Sequence, residues 1–169
     1  MTTIAEALAK FRDDPTSPEG RSANPFRLVS TFGEPATEHE VNAAWPQNQL
    51  PRSVVELWRN CREARLFEDQ DYGQWGLIML SPDTSARRTA QEQGERASDY
   101  RGDDIVLGEF LGDQELLVFA PSGERNRRIL VALPLDDRAD WFGVADDLGE
   151  FLGRYYAKGG EKYWEPKQI

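Results

Sequence analysis

With 169 residues, the chain is long enough for one domain whose core needs neither a disulfide nor a metal. Its 30 Asp and Glu against 20 Lys and Arg give a formal net charge of −10, which argues against nucleic acid as a direct partner, because that recognition rests on basic groups neutralising phosphates. A single cysteine, Cys61, rules out an intramolecular disulfide, and no stretch approaches the roughly 20 apolar residues of a membrane-spanning helix.

Ile4, Leu8 and Phe11 recur at i, i+4 and i+7, so residues 3–12 read as a short amphipathic helix. The charges inside it leave no apolar run of signal-peptide length, and the cytoplasm is the expected location. Residues 13–24 carry Pro15, Pro18 and Gly20 among small polar residues and read as a mobile loop. A strand is expected over 25–32. Thr37 is the expected N-cap, with Glu40 as its capping-box partner, of a helix running to Trp45 and stopped by Pro46. Pro51 opens the next helix, where a first-turn proline forfeits no hydrogen bond. Val54, Val55, Leu57 and Trp58 give that helix an apolar face that runs to about Arg62.

Residues 64–67 and 76–80 read as strands on either side of the acidic turn Glu68-Asp69-Gln70-Asp71-Tyr72-Gly73. Ser81 or Asp83 caps a polar helix to about Ser98, whose thin apolar content predicts an exposed or loosely packed element. Strands over 105–111, 115–120 and 129–135 follow as a meander. Gly112-Asp113 joins the first pair, since glycine supplies the positive φ such a turn needs. The loop before the last strand holds Pro121, Gly123 and arginines. These strands are apolar on both faces, which fits a sheet backed by helices on one side and partly covered on the other. Val144, Leu148, Phe151, Leu152 and Tyr155 then make a continuous helical stripe, opposite Asp147, Glu150 and Arg154 and ended by Gly159 and Gly160. The aromatic tail from Tyr163 is expected to pack back on the domain. Together these elements predict a single α+β domain, an antiparallel β-meander packed against N- and C-terminal helices.

Little in the sequence carries chemistry. His39, the one histidine, sits between Glu38 and Glu40 in a polar helical pattern, where exposure explains it. Cys61 follows an apolar helical face, where cysteine behaves as a small buried hydrophobe. No Cys or His pair stands at zinc spacing. Gly102, Gly108 and Gly112 are not spaced as a phosphate loop, and Asp69-Gln70-Asp71 lacks the glycine and distal glutamate of a calcium loop. The acidic pairs Asp103-Asp104, Asp136-Asp137 and Asp146-Asp147 would have to converge in a cleft to act as general acid and base. Neighbouring acids on one element point apart, so no catalytic residue, cofactor or metal is expected. A hydrolase working through a carboxylate pair is the least favoured alternative.

The segment Leu50-Pro51-Arg52-Ser53-Val54-Val55-Glu56-Leu57-Trp58 resembles the helix opening of the SUKH superfamily, which takes in yeast cell-wall-synthesis regulators and many bacterial proteins. Gly108 to Asp113 with Leu116 to Phe119 is similar to that family's Gly-Asp hairpin and apolar strand, and Ala145 to Leu152 resembles its closing helix. Order and spacing agree over about residues 45–156. The resemblance implies a curved antiparallel sheet backed by helices. For a bacterial member it implies an immunity protein that neutralises a toxin, often a nuclease or deaminase, by binding it. A constitutive scaffold or regulatory adaptor is the alternative the same family offers.

A basic toxin would give the net charge a second meaning, since complementary charge steers association. From Asp103 to Glu115 the chain holds Asp103, Asp104, Glu109, Asp113 and Glu115 with no base among them. The preceding turn adds Asp69 and Asp71 beside Tyr72 and Trp75, aromatic types that anchor interfaces. The expected partner-binding residues are therefore Trp75, Asp103, Asp104, Glu109, Asp113, Asp69, Asp71 and Tyr72. The expected partner is a basic protein, with neither nucleic acid nor membrane involved.

Overall fold

Side-chain caps set where the helices begin. In the computed structural model, which describes residues 2–14, 27–46 and 50–166, Thr3 accepts from the Glu6 amide at 3.1 Å and starts α1 (Ile4–Asp13). Thr37 does the same for α2 (Glu38–Ala44) through the Glu40 amide, also at 3.1 Å. Pro51 precedes α3 (Arg52–Asn60), and Ser81 caps α4 (Pro82–Glu95). Asp147 opens α5 (Leu148–Ala157) by accepting from the Glu150 amide at 2.8 Å. Of the loop expected at 13–24, residues 15–24 lie outside the described residues, as do the first two residues of the strand expected over 25–32.

The strands form one seven-stranded sheet whose spatial order follows the chain, each pairing antiparallel with the next. They are β1 (Leu28–Phe32), β2 (Ala64–Asp69), β3 (Leu77–Met79), β4 (Ile105–Phe110), β5 (Leu116–Glu124), β6 (Arg127–Ala132) and β7 (Phe142–Ala145). The fold is α+β, as the sequence predicts. On one face α1, α3 and α5 pack together over Leu107, Leu117, Phe119, Ile129 and Val131. Phe151 and Tyr155 of α5 stack there, ring centroids 5.5 Å apart and 17° from parallel. The other face carries Val106, Leu116, Val118, Leu130 and Ala132, closed by Tyr100 and Trp141 from two loops, their rings 5.0 Å apart.

Three elements differ from the sequence expectation. Val144 belongs to β7, not to the last helix: Asp147 caps α5 three residues later, and Phe142–Ala145 pairs with β6 through Val131↔Phe142 and Ile129↔Ala145. Val144 and Leu148 share a face because both point into one core, one from a strand and one from a helix.

Secondly, α4 is docked rather than loosely exposed. The buried Ser85 hydroxyl donates to the Val106 carbonyl at 2.6 Å, and Thr89 Oγ1 accepts from the Val106 amide at 2.9 Å. Its buried face is polar because it satisfies backbone where the β4–β5 register breaks between Val106 and Gly108.

Thirdly, the arginine loop is a tight hairpin. β5 runs on to Glu124 and turns through Arg125 and Asn126, both at positive φ. The Gly112-Asp113 hairpin forms as expected. Gly112 has φ +93°, and a Cβ there would lie 2.5 Å from the Gln74 carbonyl, so only glycine fits.

Candidate functional site

The acid-rich stretch from Asp103 to Glu115 does not form a continuous negative surface. Asp104 is 1% exposed. Arg138, from a 3-10 turn at Arg138–Asp140, reaches it through both terminal nitrogens, at 2.5 and 3.2 Å, and the Arg101 amide donates to it at 2.8 Å. The same guanidinium bonds Glu124 at 3.1 Å and lies over the Trp141 ring at 5.4 Å. Burial works to lower the Arg138 pKa, but hydrogen bonds and charge from Asp104 and Glu124 outweigh it and raise it. Asp104 is therefore withdrawn from the expected partner surface: its carboxylate is spent inside the fold. Asp103 points elsewhere, exposed, accepting from the Ser122 hydroxyl at 2.8 Å.

The other acids of the stretch are also answered internally. Glu109 pairs with Arg88 of α4 at 2.7 Å. Lys162, from the tail, bonds both Asp113 and, at 2.7 Å, Glu115. Burial pulls the Lys162 pKa down, yet its bonds to Asp113 and Glu115 leave it raised. The ammonium lies 5.7 Å over the ring of Trp75 and 5.3 Å over that of Phe110. Trp75 is thus half-buried against the core beneath Lys162.

In the turn after β2, Asp69 is buried and its Oδ1 accepts from the amides of Asp71 and Tyr72 at 2.9 and 3.2 Å. It shapes the turn and is likewise withdrawn from the surface. What the turn presents is Asp71 and Tyr72, the latter 71% exposed.

A second acidic turn follows β6. Leu135, expected to end a strand, is 94% exposed. β6 stops at Ala132 because Arg96 holds the chain beyond it, donating to the carbonyls of Leu133 at 3.1 Å and Asp136 at 2.6 Å. Trp141 Nε1 donates to the Asp136 carbonyl as well, at 3.1 Å. Asp136, Asp137 and Asp140 are exposed around Leu135, and their carboxylates join no ion pair among the described residues. The signal available in the sequence was Pro134, which no central strand tolerates.

The groups singled out for chemistry are dispersed. His39 is exposed on α2. Burial pushes the Cys61 thiol up to about 11. Arg62 holds Glu40 down to about 2 through hydrogen bonds of 2.6 and 2.7 Å. Asp146 faces Arg127 at 3.2 Å while Asp147 caps α5, so that pair is divided too. Among the described residues, no group of three or more His, Cys, Asp and Glu is placed to hold a metal ion. Among the described residues no helix is long and apolar enough to cross a membrane. A depression of about 680 Å³, between Trp45, Leu50, Ala90, Ile105 and Pro121, has Asp103 and Asp104 in its lining, the second already committed to Arg138. Comparison of the sequence with models of protein families finds no matching family, and comparison with curated proteins finds no match.

Proposed function

We propose that this chain is a protein-binding domain of the SUKH immunity type, which neutralises a basic toxin of the nuclease or deaminase class in the cytoplasm by binding it. The observation that carries this reading is where the large exposed apolar side chains stand. Tyr72 and Leu135, 71% and 94% exposed, each occupy an acidic turn, one beside Asp71 and the other beside Asp136 and Asp137. Asp104, Glu109, Asp113 and Glu115 are paired within the fold, whereas Asp103 and the acids of the two turns join no ion pair among the described residues. A large exposed hydrophobic side chain next to exposed acids suits a partner with a basic, partly apolar surface, such as a nucleic-acid enzyme presents. The antiparallel sheet backed by helices is the architecture that the SUKH resemblance implies.

The test is co-expression with the protein encoded beside this gene, followed by association kinetics at several salt concentrations. Rescue of growth is expected, with association slowing several-fold between ~50 and ~500 mM salt as exposed charges are screened. Binding without rescue of any toxicity would favour a regulatory adaptor. No binding, or association indifferent to salt, would overturn the proposal.

A further inference from the structure

A cleft of about 210 Å³ opens between the C-terminal half of α4 and the turn after β6. Tyr100 forms part of its wall. The residue is only 5% exposed, and its hydroxyl has no hydrogen-bond partner. Buried hydroxyls are rarely left so, and one lining a cleft marks a place for a polar group. Glu92 lines the same cleft, 8% exposed, with no ion pair on its carboxylate among the described residues. Glu95 lies on the next turn of the helix, also without an ion pair among the described residues, and accepts a hydrogen bond from Gln91 at 3.4 Å.

Two bases line the cleft as well, but their charge is taken. Arg88 pairs with Glu109 at 2.7 Å, and Arg96 pairs with Asp99 at 3.0 Å while holding the carbonyls of Leu133 and Asp136. What Arg88 leaves over is a buried Nε–H donor without a partner. The groups left over are thus two buried donors without a partner, Tyr100 Oη and Arg88 Nε, and two carboxylates outside any ion pair among the described residues, the buried Glu92 and the exposed Glu95. A cation flanked by a carbonyl answers both kinds, and a lysine or arginine residue of a polypeptide carries that pair of groups. Pro134 is part of the cleft lining, and Leu135 with Asp136 follows it directly, on a turn fixed by Arg96 and Trp141. A turn whose backbone is already held in place loses little backbone freedom on binding.

We propose that this cleft is the receptor for a basic side chain of a protein partner, held between Glu92, Glu95 and Tyr100, with Leu135 supplying the adjoining apolar contact. The proposal rests on the protein-binding reading above and names the site through which it acts.

The probe is N-acetyl-arginine methylamide, titrated to ~20 mM into the full-length ¹⁵N-labelled protein, with the neutral isostere N-acetyl-citrulline methylamide as control. Saturable amide shifts are expected at Glu92, Tyr100 and Ala132 with the arginine probe and none with citrulline. Glu92→Gln should weaken binding at least ~5-fold through the lost charge-assisted bond. Tyr100→Phe, which removes only the orphan hydroxyl, should weaken it while leaving the thermal melt in place or raised. Equal response to citrulline, shifts confined to the Asp71–Tyr72 turn, or full binding by Glu92→Gln would overturn the assignment. Failure here leaves toxin binding through the Tyr72 turn intact, whereas absence of a toxin partner with the arginine response present would sink only the immunity reading.

Discussion

Replacing Asp104 with alanine should destabilise the fold by about 3 kcal/mol, near the lower end of the range for breaking a buried ion pair. Asp104 accepts two hydrogen bonds from Arg138, and the Arg138 side chain is itself buried. Without Asp104 the guanidinium keeps Glu124 at 3.1 Å and the Asp99 carbonyl at 3.1 Å, so its charge is not wholly orphaned. Arg138→Ala should cost more, about 4–5 kcal/mol, because the buried carboxylate would then keep only the Arg101 amide at 2.8 Å. The apolar double replacement Asp104→Leu with Arg138→Met removes both charges and should cost far less than the sum of the single losses. Urea titration followed by tryptophan fluorescence measures all three, Trp141 lying 5.4 Å from the guanidinium. At roughly 2–4 °C per kcal/mol for a chain of this length, Asp104→Ala should lower Tm by about 6–12 °C. A loss under ~1 kcal/mol would mean that water reaches the pair, and the argument for burial would fail.

Two further outcomes follow from the packing and the pKa shifts. Phe151→Ala should cost about 3–5 kcal/mol in the same titration, since the ring is fully buried and stacks on Tyr155; a loss below ~1 kcal/mol would mean α5 is not docked this way. Glu40 has a folded pKa of about 2, below its ordinary 4.5, so the stability it supplies is complete above about pH 4.5 and lost as pH falls towards 2. Arg62→Gln should therefore lower stability at neutral pH and leave little difference from the parent protein near pH ~2.5; a gap unchanged between those values would contradict the Glu40–Arg62 pairing.

What the sequence disclosed was local. Thr37 with Glu40, the apolar face after Pro51 and the positive φ of the Gly112 turn each carry their cause within a few residues, and each forms where expected. What it concealed was tertiary. From Asp103 to Glu115 no base is written, yet Arg138, Arg88 and Lys162 arrive from 34, 21 and 49 positions away to neutralise Asp104, Glu109 and Asp113. Spacing within a segment carries no trace of such partners. The polar face of α4 misled for the same reason, because what it meets is backbone at a break in register, which no hydropathy pattern encodes. Pro134 marks the end of β6 within the sequence, but the hold that displays Leu135 comes from Arg96, far back in the chain.

The sequential order of the sheet bears on how the chain is made. Because every strand pairs with the one synthesised just before it, β1 to β7 can assemble in chain order as the polypeptide leaves the ribosome, with α2 and α3 crossing from β1 to β2, α4 crossing from β3 to β4, and shorter loops closing the other pairs. The helical layer cannot keep that pace. Ile4, Leu8 and Phe11 of α1 pack against α5, and Gly149 sits so close that an added Cβ would lie 2.3 Å from the Thr2 carbonyl. The first helix to emerge thus keeps part of its apolar stripe bare until the last one is complete. That interval, rather than strand pairing, is when the nascent chain is most exposed to aggregation or to capture by a chaperone.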